Sequence, residues 1–94
     1  MEASERQKYL DQVEARMGTW RADIHALRAK ADGKDASARE EYATEVDGLE
    51  ARLSDLEKEL EAARESSEDA WDNVKNDLSA AFEAADQAFS QSKG

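Results

Sequence analysis

The fold is decided by the stretch LDQVEARMGTWRADIHALRAKA, which runs from Leu10 to Ala31. Its large apolar side chains recur at alternating intervals of three and four residues, as the a and d positions of a coiled-coil heptad do. Strict alternation at every second residue, the pattern of a half-buried strand, is missing. The series consists of Leu10, Val13, Met17, Trp20, Ile24, Leu27 and Ala31. It predicts a first helix over about residues 2–31 with one apolar seam.

A second heptad series follows and predicts another helix, over about residues 36–65. It consists of Tyr42, Val46, Leu49, Leu53, Leu56, Leu60 and Ala63. Residues 32–35 are expected to form the turn between the helices. Gly33 can adopt the left-handed conformation that closes a helix C-terminus. Either Asp35 or Ser37 can cap the second helix, and Glu40 would complete a capping box with Ser37.

Folding the chain back at Gly33 sets the two apolar series against each other as an antiparallel hairpin. When residues whose numbers sum to 66 face each other, every layer places an a position opposite a d position. The flanking charges fit this register poorly, because Arg16 falls near Arg52 and Glu14 near Glu50. Burial of one Leu or Val, worth about 1.5–3 kcal/mol, outweighs such exposed contacts. The predicted layers are Ile24 with Tyr42, Trp20 with Val46, Met17 with Leu49, Val13 with Leu53, and Leu10 with Leu56.

The last part of the chain carries a further apolar stripe, over about residues 68–91, and two arrangements fit it. Ser66 and Asp69 provide an N-cap signal for a third helix that folds back. Alternatively, the second helix continues, because the heptad stays in phase through Ser67 and Ala70 and no Gly or Pro intervenes. A long helix would expose an apolar surface at its C-terminal end. That surface could be buried in a homo-oligomer, most simply a dimer, or against a protein partner. That surface would consist of Trp71, Val74, Leu78, Phe82 and Phe89.

Composition narrows the class of protein. The chain has 94 residues, a net charge of −10, 38% charged residues and no Pro or Cys. The absence of Cys excludes disulfides and thiol chemistry and is compatible with a reducing cytoplasm. The acidic balance disfavours nucleic acids and anionic membranes as partners. No apolar run approaches the roughly 20 residues that a transmembrane helix needs.

The sequence offers no constellation of catalytic or metal-binding residues. His25, the only histidine, falls at an outward b position and has no recognisable Ser partner. A di-metal bundle needs inward Glu-x-x-His motifs, which are missing. The stretch from Asp32 to Asp35 is too short for a calcium loop. We therefore expect no enzyme activity, no cofactor and no metal site.

Several of these residues resemble a known family. Trp20 with Ile24, Leu27 and the run Ala29-Lys30-Ala31-Asp32 is similar to the first helix of small bacterial coiled-coil proteins labelled stress-response and apolipoprotein-like. Two later signatures match as well: Arg39 with Tyr42, and Ala70-Trp71 through Val74-Lys75. The resemblance implies a bacterial, cytoplasmic protein linked to stress, with no known chemistry. Phe82 stands where the family often has tryptophan, so the pattern departs there.

Three functions remain as hypotheses. The first is a non-enzymatic structural or interaction protein that self-associates through its apolar seams, in a stress-related setting. The second is an amphipathic binder of hydrophobic surfaces such as neutral lipid, a granule or an exposed client protein. The third is an acidic protein that binds basic protein surfaces.

Overall fold

A computed structural model describes the chain from residue 3 to residue 92 as three helices and no strand. Helix α1 spans Ala3–Asp32, α2 spans Ala36–Glu65 and α3 spans Glu68–Ser90. The predicted start of the first helix at residue 2 lies outside the described residues. The all-α prediction is therefore confirmed, and of the two arrangements left open for the tail the structure has the third helix. The bundle is elongated, with extents of 52 × 19 × 18 Å.

One apolar core runs the length of the bundle. All the residues of the two predicted seam series are buried in it except Ala31 and Tyr42, which are half-buried; Tyr42 packs against the edge of the core. The best-buried large side chains are Met17, Leu27, Leu56, Leu78 and Val13. At about 1.5–3 kcal/mol for each fully buried side chain, this burial is the main force that holds the helices together.

The connection between α1 and α2 differs from the predicted glycine cap. No described glycine has a positive φ, so Gly33 does not adopt the left-handed conformation. Instead the last turn tightens, because the backbone N–H of Gly33 bonds the carbonyl of Lys30 and that of Lys34 bonds the carbonyl of Ala31. Asp35 then caps α2 by accepting a hydrogen bond of 2.9 Å from the N–H of Ala38. Ser37 already lies inside the helix, so the alternative capping box is not used.

The register of the hairpin also differs from the prediction. Ion pairs join α1 to α2 through Arg21 with Glu57, Arg28 with Glu50, and Glu14 with Arg64, and in each pair the residue numbers sum to 78. In the predicted register, Arg28 and Glu50 would lie twelve residues apart along the axis, about 18 Å, which their side chains cannot span. The predicted layers are therefore wrong.

A shift by one heptad accounts for the three ion pairs and for the contact of Arg6 with the end of α2. Facing residues then have numbers that sum to 73, and a positions still meet d positions. The ion-paired residues lie about five residues apart along the axis, and their side chains lean toward each other because each leans toward the N-terminus of its helix. A shift by two heptads is excluded, because it would carry Ala63 too far along the axis from Arg6. In the structure the guanidinium of Arg6 reaches the carbonyl of Ala63 at 2.6 Å. The predicted clash of like charges disappears in this register.

The break between α2 and α3 consists of Ser66 and Ser67. Both have extended backbones, with φ −70° and ψ 145° at Ser66 and φ −73° and ψ 167° at Ser67. The hydroxyl of Ser67 caps α3 by accepting a hydrogen bond of 3.2 Å from the N–H of Ala70. Ser67, rather than the predicted Ser66, is thus the N-cap of α3, and Ser66 is the C-cap of α2.

Helix α3 runs parallel to α1 and antiparallel to α2. Its contacts with α1 advance along both helices together, from Tyr9 with Trp71 to Trp20 with Phe89. Because Phe89 lies almost at the end of α3, the outer twelve or so residues of α1, about 18 Å, extend beyond it. The far end of the α1–α2 hairpin is therefore a two-helix coiled coil.

Candidate interaction surfaces

The tail residues proposed as an exposed partner surface lie mostly inside the bundle. Trp71 is 3% exposed, Phe89 7%, and Leu78 is fully buried. Val74 and Phe82 are half-buried and pack against the core. The hypothesis that these residues form an exposed apolar surface is therefore wrong for the folded chain. The break at Ser66–Ser67 folds this apolar stripe back onto the chain's own hairpin.

Aromatic rings join α3 to α1. Trp20 stacks on Phe89 with ring centroids 5.0 Å apart and also contacts Phe82 at 5.3 Å. Nearer the opposite end, Tyr9 meets Trp71 edge to face at 6.4 Å. Such pairs add about 0.5–1.5 kcal/mol to the burial of their surface. The backbones of α1 and α3 stay further apart than those of the other helix pairs, so these large side chains bridge the gap.

Polar contacts on the solvent side of this interface also advance in parallel along α1 and α3. Tyr9 and Ser79 share a hydrogen bond of 2.7 Å between their hydroxyls, and Lys75 lies 5.5 Å from the Tyr9 ring centroid. Arg16 pairs with Asp86 at 2.9 Å. Between them a shallow, mainly apolar hollow is lined by Tyr9, Gln12, Val13, Ala15, Arg16 and Phe82.

Arg6 holds the α2–α3 corner against α1, a contact that the heptad pattern did not predict. Its guanidinium donates to the carbonyl oxygens of Ala63 at 2.6 Å and Ser66 at 2.7 Å, and lies 4.7 Å from the centroid of Trp71. It thereby adds a charged donor to carbonyls at the C-terminal end of α2, where a cation is favoured; the Ala63 carbonyl also accepts from the N–H and the hydroxyl of Ser66. The signal was present in the sequence, because Arg6 falls at a d position, where a charge is out of place.

The opposite side of the hairpin carries the ladder of ion pairs. Its members are half-exposed, with side-chain exposures between 41% and 63%. Exposed pairs of this kind contribute at most about 1 kcal/mol each. Their main effect here is to match charge along one face and to select the register. The ladder consists of Glu14 with Arg64, Arg21 with Glu57, Arg28 with Glu50, and Arg64 with Glu61.

His25 lines a shallow hollow beside this ladder, together with Arg21, Arg28 and Glu50. The side chain is exposed, as its outward position in the heptad predicted.

Over the part of the chain that the structure describes, no group of three or more His, Cys, Asp and Glu side chains is placed to hold a metal ion. Within the same residues, no helix is long and apolar enough to cross a membrane.

Charge is divided unevenly among the helices. Helix α1 has six basic and five acidic residues, a net charge of +1, whereas α2 has four basic and ten acidic residues, a net charge of −6. Helix α3 has one basic and six acidic residues, a net charge of −5. The exposed acids of α3 are Glu68, Asp69, Asp72, Asp77 and Glu83. The surface formed by α2 and α3, here called the acidic face, therefore carries most of the net charge.

No protein-family model, curated protein or solved structure matches this chain. The resemblance to the stress-response coiled-coil family stays a prediction.

Proposed function

We propose that this chain is a non-enzymatic interaction protein whose acidic face binds the basic surface of a partner protein. The observation that carries the proposal is the division of charge, with −6 on α2 and −5 on α3 against +1 on α1. The folded bundle keeps its apolar side chains inside and presents charged side chains outside. An electrostatic surface is therefore what it offers to another molecule.

The cations of α1 offset only part of this field, because each of their ion pairs neutralises a single acid. Arg16, Arg21 and Arg28 each pair with an acid of a neighbouring helix. The remaining acids of α3 project into solvent along its outer side. Complementary charge raises association rates and selects partners more than it adds affinity. The proposal thus favours a partner that is basic over an extended area, and disfavours nucleic acids and anionic membranes.

Binding of a short fluorescent poly-L-lysine peptide, followed by anisotropy, tests the proposal. Changing Asp72 and Glu83 of α3 to Lys should weaken binding at low ionic strength by about tenfold or more. The matched control changes Asp11 and Asp23, exposed on α1, to Lys and alters net charge equally. This control should weaken binding clearly less. Equal loss in both variants, or binding that ignores added salt, would count against an acidic face as the site.

A second candidate function rests on the way α3 is attached. One side of α3 carries Trp71, Leu78 and Phe89; its backbone lies close to α2, but its link to α1 depends on side chains alone. If α3 detached, that side could lie on neutral lipid or an exposed client protein. Phosphatidylcholine vesicles with brominated acyl chains should then quench the emission of Trp71 in a Trp20→Phe variant. Emission that saturating brominated lipid does not quench would remove this candidate.

The cellular setting is the remaining part of the proposal. A stress-related role in a bacterial cytoplasm is what the family resemblance implies, and the absence of cysteine is compatible with a reducing compartment.

A further inference from the structure

The junction between α2 and α3 differs from a helix at two residues. Ser66 and Ser67 have φ values of −70° and −73°, which already lie in the helical range. Only their two ψ angles, 145° and 167°, separate the bent chain from a straight one. Neither residue is Gly or Pro, so rotation of these two angles would join α2 and α3 into one helix.

The heptad phase also continues across this junction, with the polar Ser67 at one seam position. Leu60, Ala63, Ser67, Ala70 and Val74 follow one another at intervals of three, four, three and four residues. A straight helix would therefore keep the seam of α2 as far as Val74, whereas Trp71 and Leu78 lie one position beside it. What it would lose is cover for α3, because a straight chain carries α3 away from its own hairpin. Trp71, Leu78 and Phe89 would then be exposed.

We propose that α3 is exchanged between two copies of this chain, with Ser66–Ser67 as the hinge. In the exchanged dimer, each straight α2–α3 helix lays its α3 on the α1–α2 hairpin of the other copy. The partner is fixed by complementarity, since a second copy presents the same surface that covers α3 in the closed chain. Trp20 of one copy would stack on Phe89 of the other, and Arg16 would pair with the other copy's Asp86. Exchange across a short hinge is a recognised route to dimers.

Arg6 favours the closed chain over the exchanged dimer. Its hydrogen bonds to the carbonyls of Ala63 and Ser66 require those carbonyls to be available at a helix end. In a straight helix the same carbonyls accept from the N–H groups of residues 67 and 70. The Ser67 cap likewise exists only in the bent form. The proposal is independent of basic-surface binding, since it concerns only the apolar side of α3.

Two opposite substitutions at the hinge test the proposal by light scattering over a concentration series. The double variant Ser66→Ala, Ser67→Ala removes the cap and favours a straight helix, so it should lower the dimer dissociation constant by about 30-fold. Glu68→Pro should keep the chain at its monomer mass of 10.5 kDa. Proline suits the first position of α3 and the extended Ser67 before it, but it would break a straight helix.

A chemical cross-link identifies the kind of dimer. The chain has no cysteine, so Arg16→Cys with Asp86→Cys provides two unique thiols on α1 and α3. A short bismaleimide should link them within one chain in the Glu68→Pro background. In the double-alanine background it should link two chains and give a covalent dimer on a denaturing gel. Ser67→Gly is a second closed variant for the case in which Glu68→Pro loses helicity, because Gly still caps but disfavours a straight helix.

The outcomes separate cleanly. Alanine variants that remain monomeric at every concentration would overturn the proposal, as would a dimer whose cross-links form only within single chains. A dimer in the double-alanine variant with cross-links between chains, together with closed monomers for Glu68→Pro or Ser67→Gly, supports it.

Discussion

Trp20 in the middle of α1 lies stacked on Phe89 in the last turn of α3, with the ring planes only 11° from parallel. The two side chains are 2% and 7% exposed, so the stack closes the end of the three-helix part of the bundle. Beyond it the hairpin continues as two helices alone. A single contact between residues far apart in sequence thus marks where the third helix stops contributing to the core.

The first prediction concerns this stack. Phe89→Ala should lower the free energy of unfolding by about 3 kcal/mol, because it removes a buried ring and leaves a cavity beside Trp20. Urea unfolding followed by circular dichroism measures the loss. In a Trp71→Phe background, emission from Trp20 should shift to the red.

Phe82→Ala is the matched control, since Phe82 also contacts Trp20 but is only half-buried. Its cost should be clearly smaller. Equal stability of the Phe89→Ala variant and the natural chain would show that the stack does not hold α3 in place.

The sequence alone predicts the core well but the pairing of helices poorly. Heptad spacing correctly selected the buried seam residues from Leu10 to Leu60, because burial of an a/d stripe depends only on local periodicity. The register does not depend on periodicity, since a shift of one heptad preserves every match of a with d. Charges at e positions could have decided it, because Glu14 would lie among the acids Glu50 and Glu57 in the predicted register but meets Arg64 in the structure.

The turn before α3 was harder to predict for a different reason. Ser66 and Ser67 are compatible with a helix, and the local pattern does not break there. What bends the chain is tertiary structure: α3 gains cover for Trp71 and Phe89, and Arg6 fills the corner. The charge of Arg6 at a d position marks one end of this contact, but its partner lies sixty positions away and no local pattern identifies it.

The second prediction concerns Arg6. Arg6→Gln should lower the free energy of unfolding by about 1–2 kcal/mol, because carbonyls at the end of α2 lose a charged donor and Trp71 loses a cation near its ring. Chemical denaturation measures the change. Lys8→Gln removes the same charge from an exposed position two residues away and should stay within about 0.5 kcal/mol of the natural chain. If both variants lose the same amount, net charge rather than the corner contact is responsible.

The third prediction concerns the register of the hairpin. A double-mutant cycle between Arg21 and Glu57, with both changed to Ala, should give a coupling energy of a few tenths of a kcal/mol that falls with added salt. A cycle between Arg21 and Glu50 should give none, although the register predicted from the sequence would have paired them. Coupling in the second cycle and not in the first would show that the hairpin has the register predicted from the sequence.

The fourth prediction concerns two glycines inside helices. Gly18 in α1 and Gly48 in α2 have open space around them, with no atom within 4 Å of an added Cβ apart from the chain neighbours and the helix's own nearby backbone. Alanine at either position should therefore stabilise the chain by about 0.5–1 kcal/mol, since it removes the helix cost of glycine without a clash. The two gains should add, because the substitutions lie on different helices and share no contact.

Gly33 provides the informative comparison for these variants. Its φ is not positive, and an added Cβ would meet the carbonyl oxygen of Lys30 at 3.8 Å, an ordinary van der Waals distance. Gly33→Ala should therefore change the midpoint of thermal unfolding little or raise it slightly. A left-handed glycine, as the sequence pattern suggested, would instead cost more than about 1 kcal/mol on substitution. A strong loss at Gly33 would mean that the turn closes in the left-handed conformation typical of a glycine cap.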